Sequence, residues 1–153
     1  MESDAEELSR VLERAEAAPY VKYPKTPGWY APAVGLWTAA LIGAFTWWRV
    51  SAALFLGSLV ALVALEFWFI TWMRRRHGAM PMPGHGTPPR EIGAIWVRFF
   101  VAVPVVVALI ALAWWLGGVP AGAGTAFVLV TAALWYYERR YAVAAAEVRE
   151  RLG

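Results

Sequence analysis

The sequence predicts an all-α integral membrane protein: an antiparallel four-transmembrane-helix bundle with short cytoplasmic N- and C-terminal helices. Three observations carry that expectation. Of the 153 residues, 60% are hydrophobic and 16% charged, too little polarity to coat a soluble domain of this size. Four apolar stretches are each long enough to cross a bilayer, which takes about 20 helical residues. Arginine and lysine gather at alternate ends of those stretches, the pattern that sets membrane orientation.

Taken in order, residues 1–18 predict an acidic amphipathic helix, with Leu8, Val11, Leu12 and Ala15 on one face. Six acids against two arginines give this segment a charge of −4, whereas twelve bases against five acids give the remainder +7. Three settings suit such a helix: against the basic C-terminal tail, against Arg74–Arg76, or free in water. Residues 19–28 form a Pro-rich linker, whose prolines end the helix. The spans follow at 29–48, 50–73, 92–116 and 119–137, making a transmembrane domain of 29–137. The first span begins after an acidic segment and lacks the basic start of a signal peptide. Residues 138–153 continue the fourth helix into the cytoplasm, with Tyr141, Ala145, Val148 and Leu152 as a weak apolar stripe.

Lys22, Lys25, Arg74, Arg75, Arg76, Arg90, Arg139 and Arg140 flank one side of the spans. The other side has Arg49 and the uncharged connection GGVPAGAG. Both termini and the 74–91 loop are therefore expected in the cytoplasm, in a multi-pass protein of the plasma (inner) membrane. Trp29, Trp72, Trp96 and Trp135 fall near the inner boundary and Trp47, Trp48, Trp114 and Trp115 near the outer one. Trp37 and Trp68 lie deeper, as helix-packing residues. Arg74, Arg75 and Arg76 are also placed to touch anionic lipid headgroups.

Lipid is as apolar as leucine, so helix association needs close backbone contact at small residues. Gly35, Ala39 and Gly43 are spaced by four along the first span, as are Ala53, Gly57 and Ala61 along the second. The two stripes are expected to face each other, or one of them a second copy in a homodimer. Pro104 removes a backbone hydrogen bond and is expected to kink the third span.

Glu66 is the one acid inside the second span. It lies seven residues short of Met73, about 10 Å at the helical rise. Arg98 lies equally far into the third span, counted from Glu91. A lone charge near mid-membrane costs roughly 2.5–3.5 kcal/mol on insertion scales, and consecutive spans tend to be neighbours. A Glu66–Arg98 ion pair is therefore expected. The alternative has Arg98 reaching to the inner headgroups and Glu66 protonated.

In length, four-helix topology and a single embedded glutamate, the chain is similar to small multidrug-resistance exporters. That resemblance implies a dimeric proton-coupled small-molecule transporter. In that family the key glutamate lies in the first span, which here has no acid, so no residue role carries over.

The chemistry available is narrow. The chain has no cysteine, asparagine or glutamine, and Asp4 is its single aspartate. This excludes disulfides and thiolate chemistry, and the absence of histidine from every span excludes a bis-histidine haem. His77, Met80, Met82 and His85 share one loop. Imidazole and thioether suit copper(I), but the prolines and glycines around them read as a connector. Neither metal nor cofactor is expected. The composition therefore predicts a small non-enzymatic structural or accessory membrane protein, in a homodimer or larger assembly and without nucleic acid. The alternative is a transporter using Glu66.

Overall fold

The computed structural model describes residues 2–21, 26–77 and 88–152, with no strand among them. Helix α1 spans Glu2–Val21 and α2 spans Tyr30–Gly43, the latter continued by a 3-10 turn at Ala44–Trp47. Helix α3 spans Ala52–His77 and α4 spans Arg90–Leu152. Ser51 starts α3 by accepting the Leu54 N–H on its hydroxyl at 3.3 Å, which satisfies one of the amides a helix start leaves unpaired. Two helices, α3 and α4, are long and apolar enough to cross a membrane.

As a straight rod the 63 residues of α4 would reach about 95 Å. They double back instead. Gly118 has φ 71 and ψ −169, a backbone region open to glycine because it lacks a Cβ. Past this break the chain reverses. The Trp96 indole N–H donates to the Tyr137 hydroxyl at 3.0 Å, and the Phe99 and Tyr137 rings lie 4.9 Å apart. The two arms, residues 90–117 and 119–152, therefore form a helical hairpin. The first arm covers the apolar stretch 92–116, and the second covers 119–137 and continues to residue 152. Pro120 falls in the first turn of the second arm, where a missing N–H costs little. The non-helical backbone inside α4 lies at Gly118, where the chain reverses, while Pro104 lies within the helical first arm.

Helix α2 packs on α4, with Gly35 against Thr131 and the Phe127 carbonyl. Helix α3 is held to α2 mainly through rings. Phe45 and Trp48 meet Phe55 at 5.2 and 5.0 Å, and Phe45 also meets Trp114 at 5.2 Å. At the opposite end Trp29 and Tyr30 each lie 6.0 Å from Phe69. These contacts put the start of α2, the end of α3 and the start of α4 at one end of the molecule. Arg74, Arg75, Arg76, Arg90, Arg139 and Arg140 share that end, while Arg49 and Gly118 lie at the other.

At the basic end α1 docks on the hairpin. Tyr20, Ile92, Trp96 and Ala144 form a buried cluster. The Tyr141 hydroxyl donates to the Tyr20 carbonyl at 2.9 Å, and Arg149 donates to the Val21 carbonyl at 3.2 Å. Arg151 lies 3.1 Å from Glu13 and 3.6 Å from Glu91. Of the three settings allowed by the sequence, α1 takes the basic tail. The face it uses differs from expectation: Ala17 and Tyr20 are buried, whereas Leu8, Val11 and Leu12 are 61%, 54% and 56% exposed. The helix also runs three residues past the expected end at 18. Pro19 removes only its own bond to the Ala15 carbonyl, and docking of Tyr20 retains the extra turn.

Candidate functional site

On α3, Glu66, Phe69 and Trp72 are spaced by three and fall on one helical face. On the facing side, Trp29, Tyr30 and Trp37 present their rings from the head and body of α2. These bulky groups hold the helices apart and enclose a cleft of about 460 Å³. Trp29 lies 6.1 Å from Trp72, and the Tyr30 and Phe69 rings are stacked with 24° between their planes. One bond crosses the cleft: the Trp37 indole N–H donates to the Leu62 carbonyl at 3.2 Å, one turn before Glu66. Glu66 is half-buried on the wall of this cleft.

The structure does not bring Glu66 and Arg98 together. Glu66 faces α2, Arg98 is exposed on the first arm of α4, and no ion pair joins them among the described residues. The physical reason is helix order. Helix α2 packs on α4 and α3 packs on α2, with no close α3–α4 interface, so succession along the chain did not produce adjacency.

The small residues are redistributed in the same way. Gly35 makes its close approach to α4, and a Cβ there would sit 2.8 Å from the Phe127 carbonyl oxygen. Ala39 and Gly43 are half-buried, and Ala53, Gly57 and Ala61 are exposed. A Cβ on Gly43 or Gly57 would meet nothing within 4 Å. The two stripes therefore do not face each other.

Cations meet aromatic rings along the basic end. The Arg139 guanidinium lies 3.6 Å over Trp135, Arg76 lies 5.3 Å over Trp72 and Arg140 lies 5.4 Å over Tyr136. Arg74, Arg75 and Arg76 are exposed. Nearby, burial pushes the Glu138 carboxyl above its ordinary range, offset in part by the Thr26 hydroxyl. Its Oε1 is buried with no hydrogen-bond partner.

Met80, Met82 and His85 lie outside the described residues, as does the side chain of His77. Among the described residues no group of three or more His, Cys, Asp or Glu is placed to hold a metal ion. Trp29 and Trp72, expected only at the membrane boundary, line the cleft, which the spacing of apolar spans does not disclose. The i, i+3, i+6 run of Glu66, Phe69 and Trp72 was the available signal. No known protein family, characterised protein or solved structure matches this chain.

Proposed function

We propose that this chain is a small four-span membrane protein with both termini on the cytoplasmic side, serving as a non-enzymatic accessory or structural component. The observation that supports it best is inverted burial. Within their most apolar stretches α3 is 6% buried and α4 0% buried, so that surface needs an apolar medium to cover it. Helix α2 and its 3-10 turn, 14 and 4 residues, together reach about 29 Å, close to the roughly 30 Å hydrocarbon core. Hydroxyls on these helices turn back on their own backbone: Thr38, Ser58 and Thr71 donate to Val34, Leu54 and Phe67 carbonyls at 2.9, 2.7 and 2.8 Å. That is how such groups are satisfied where water is scarce. The clustering of arginines at the α1 end supports a cytoplasmic placement of that end. The exposed face of Leu8, Val11 and Leu12 is the surface this reading offers to an assembly partner.

The chain has no cysteine, so single introduced cysteines report topology cleanly. With an impermeant thiol reagent, cysteines replacing Arg49 and Gly118 are expected to label from outside intact cells, and one replacing Arg75 only after lysis. Labelling of positions 75 and 118 from the same side would overturn the four-span arrangement.

A second reading, a dimeric proton-coupled transporter using Glu66, is favoured by one observation. The carboxylate lines a cleft in place of pairing with Arg98. In proteoliposomes driven by a pH gradient, flux lost on Glu66→Gln would establish it.

A further inference from the structure

We infer that the stretch of α4 from Trp135 to Arg140 binds the headgroup of an anionic phospholipid, with Arg139 and Arg140 donating to its phosphate. The inference rests on the four-span reading, which places these residues at the level of the cytoplasmic headgroups.

The arginines of the second arm divide by what they meet. Those far along the tail serve the protein itself: Arg149 donates to the Val21 carbonyl, and Arg151 pairs with Glu13 and Glu91. Arg139 and Arg140 are exposed, and no carboxylate pairs with either among the described residues. The acid next to them in the chain, Glu138, turns to the Thr26 hydroxyl and keeps its Oε1 buried.

Each of these two cations instead lies on the ring one turn back. The Arg139 guanidinium is 3.6 Å over Trp135 and that of Arg140 is 5.4 Å over Tyr136. The Arg140 Nε also donates to the Tyr136 hydroxyl at 3.0 Å. Arg76 over Trp72 repeats the four-residue spacing on α3. A ring beneath a guanidinium steadies a long side chain and covers one face of it, leaving N–H edges free to donate. Such an edge matches two oxygens of a phosphate. Two neighbouring cations without an acid of their own favour a headgroup of net negative charge over a zwitterionic one.

Height selects a lipid over a soluble anion or an acidic protein. Trp135 and Tyr136 are 51% and 59% exposed, at the boundary depth that amphipathic rings prefer. Val128, Trp135 and Arg139 follow at intervals of seven and four, so they share one helix face, and Val128 is 61% exposed. Hydrocarbon covering Val128 therefore continues onto Trp135 and brings its own phosphate against Arg139. The acidic α1 docks elsewhere, at Tyr141 and Ala144, and leaves this face open.

The test titrates the purified full chain in detergent micelles with phosphatidylglycerol, or with phosphatidylcholine of the same acyl chains. Native mass spectrometry counts the bound lipid. Saturable binding of phosphatidylglycerol is expected, with phosphatidylcholine at least tenfold weaker. Arg139→Gln combined with Arg140→Gln should weaken phosphatidylglycerol about thirtyfold, the effect of two boundary cations. Arg49→Gln, at the opposite end, should leave it unchanged. Arg139→Lys with Arg140→Lys keeps the charge but loses the fork, and Trp135→Leu keeps both arginines but loses a ring; each should weaken binding severalfold. Unchanged affinity in both would reduce the patch to bare charge and overturn the inference. Equal binding of the two lipids, or equal phosphatidylglycerol affinity in wild type and the double glutamine variant, would also overturn it. So would displacement of the lipid by an equal concentration of glycerol phosphate, which marks a phosphate site with no need of a membrane. Cysteine labelling judges the four-span reading separately: correct labelling without lipid discrimination rejects the headgroup site alone.

Discussion

Helix α2 has two neighbours and meets them with opposite kinds of side chain. Toward α4 it presents Gly35, and the backbones come so close that an added Cβ would lie 2.2 Å from the Thr131 hydroxyl and 2.8 Å from the Phe127 carbonyl. Toward α3 it presents Trp29, Tyr30 and Trp37, and the gap between backbones becomes a cleft lined by their rings. In lipid, contact area between helices has to come from fit, since leaving the lipid gains nothing. The glycine face supplies that fit and serves as framework. The aromatic face forgoes it and gains a volume with a carboxylate on its wall.

The sharpest way to break this contrast is to give the close face a side chain. Gly35→Leu is expected to force α2 off α4 and prevent a stable fold, and Gly35→Ala to cost about 2–3 kcal/mol, the upper range for overpacking. The backbone carbonyl of Phe127 cannot step aside as a side chain can. Reversible unfolding in mixed micelles checks both. Gly57→Leu, on a helix face with nothing within 4 Å, should stay within about 0.5 kcal/mol. A Gly57 variant as damaging as the Gly35 one would abolish the distinction between the faces.

The next effect concerns the reversal that brings the second arm beneath α2. Gly118→Ala places a Cβ at φ 71 and ψ −169, a region essentially confined to glycine, and should cost about 1–3 kcal/mol. The same micelle unfolding should show that loss. Trp96→Phe keeps the buried ring contact with Tyr20 but deletes the 3.0 Å bond to Tyr137. It should cost about 1 kcal/mol, the net worth of such a bond, and loosen α1, read as faster proteolysis near residue 20.

These elements differ in how far the sequence disclosed them. The lengths of α3 and of both arms of α4 were legible because apolar run length is a local property. Opposite charge allowed α1 to dock on the tail, where Glu13 and Arg151 are 3.1 Å apart, but did not single that setting out from Arg74–Arg76 or water. The buried face of α1 was not legible, because Leu8, Val11 and Leu12 make the stronger periodic pattern while Ala17 and Tyr20 do the packing. Helix order was the main loss. The stripe at Gly35 marks a close approach but not its partner, and the choice of α4 over α3 depends on Thr131 and Phe127, nearly a hundred residues away. Once α3 lies on the far side of α2, Glu66 faces rings and not Arg98.

Glu138 offers a smaller, pH-dependent effect at the edge of the close face. Burial favours its neutral form, so the folded chain holds this proton more tightly than the unfolded one. Stability from this group is full below its unfolded pKa and is lost as pH rises through the elevated folded value. Glu138→Gln, which imitates the neutral form, should match the wild type in acid and exceed it increasingly toward neutral pH. Denaturant midpoints across that range check the sign, and a difference that shrinks with rising pH would reverse the assignment.

The smallest expected effect is the most telling for the cleft face. Glu66 and Arg98 lie on helices without a close interface, so substitutions there should behave as independent sites. In a cycle of Glu66→Gln, Arg98→Gln and the double variant, the coupling energy should fall within the ~0.3–0.5 kcal/mol typical of separated residues. A direct ion pair in an apolar setting would give a clearly larger value, because breaking either half strands the other charge. A large coupling would place α3 beside α4, close the cleft around its carboxylate and remove the difference between the two faces of α2. A coupling near zero leaves Glu66 on the aromatic wall of the cleft, energetically separate from Arg98.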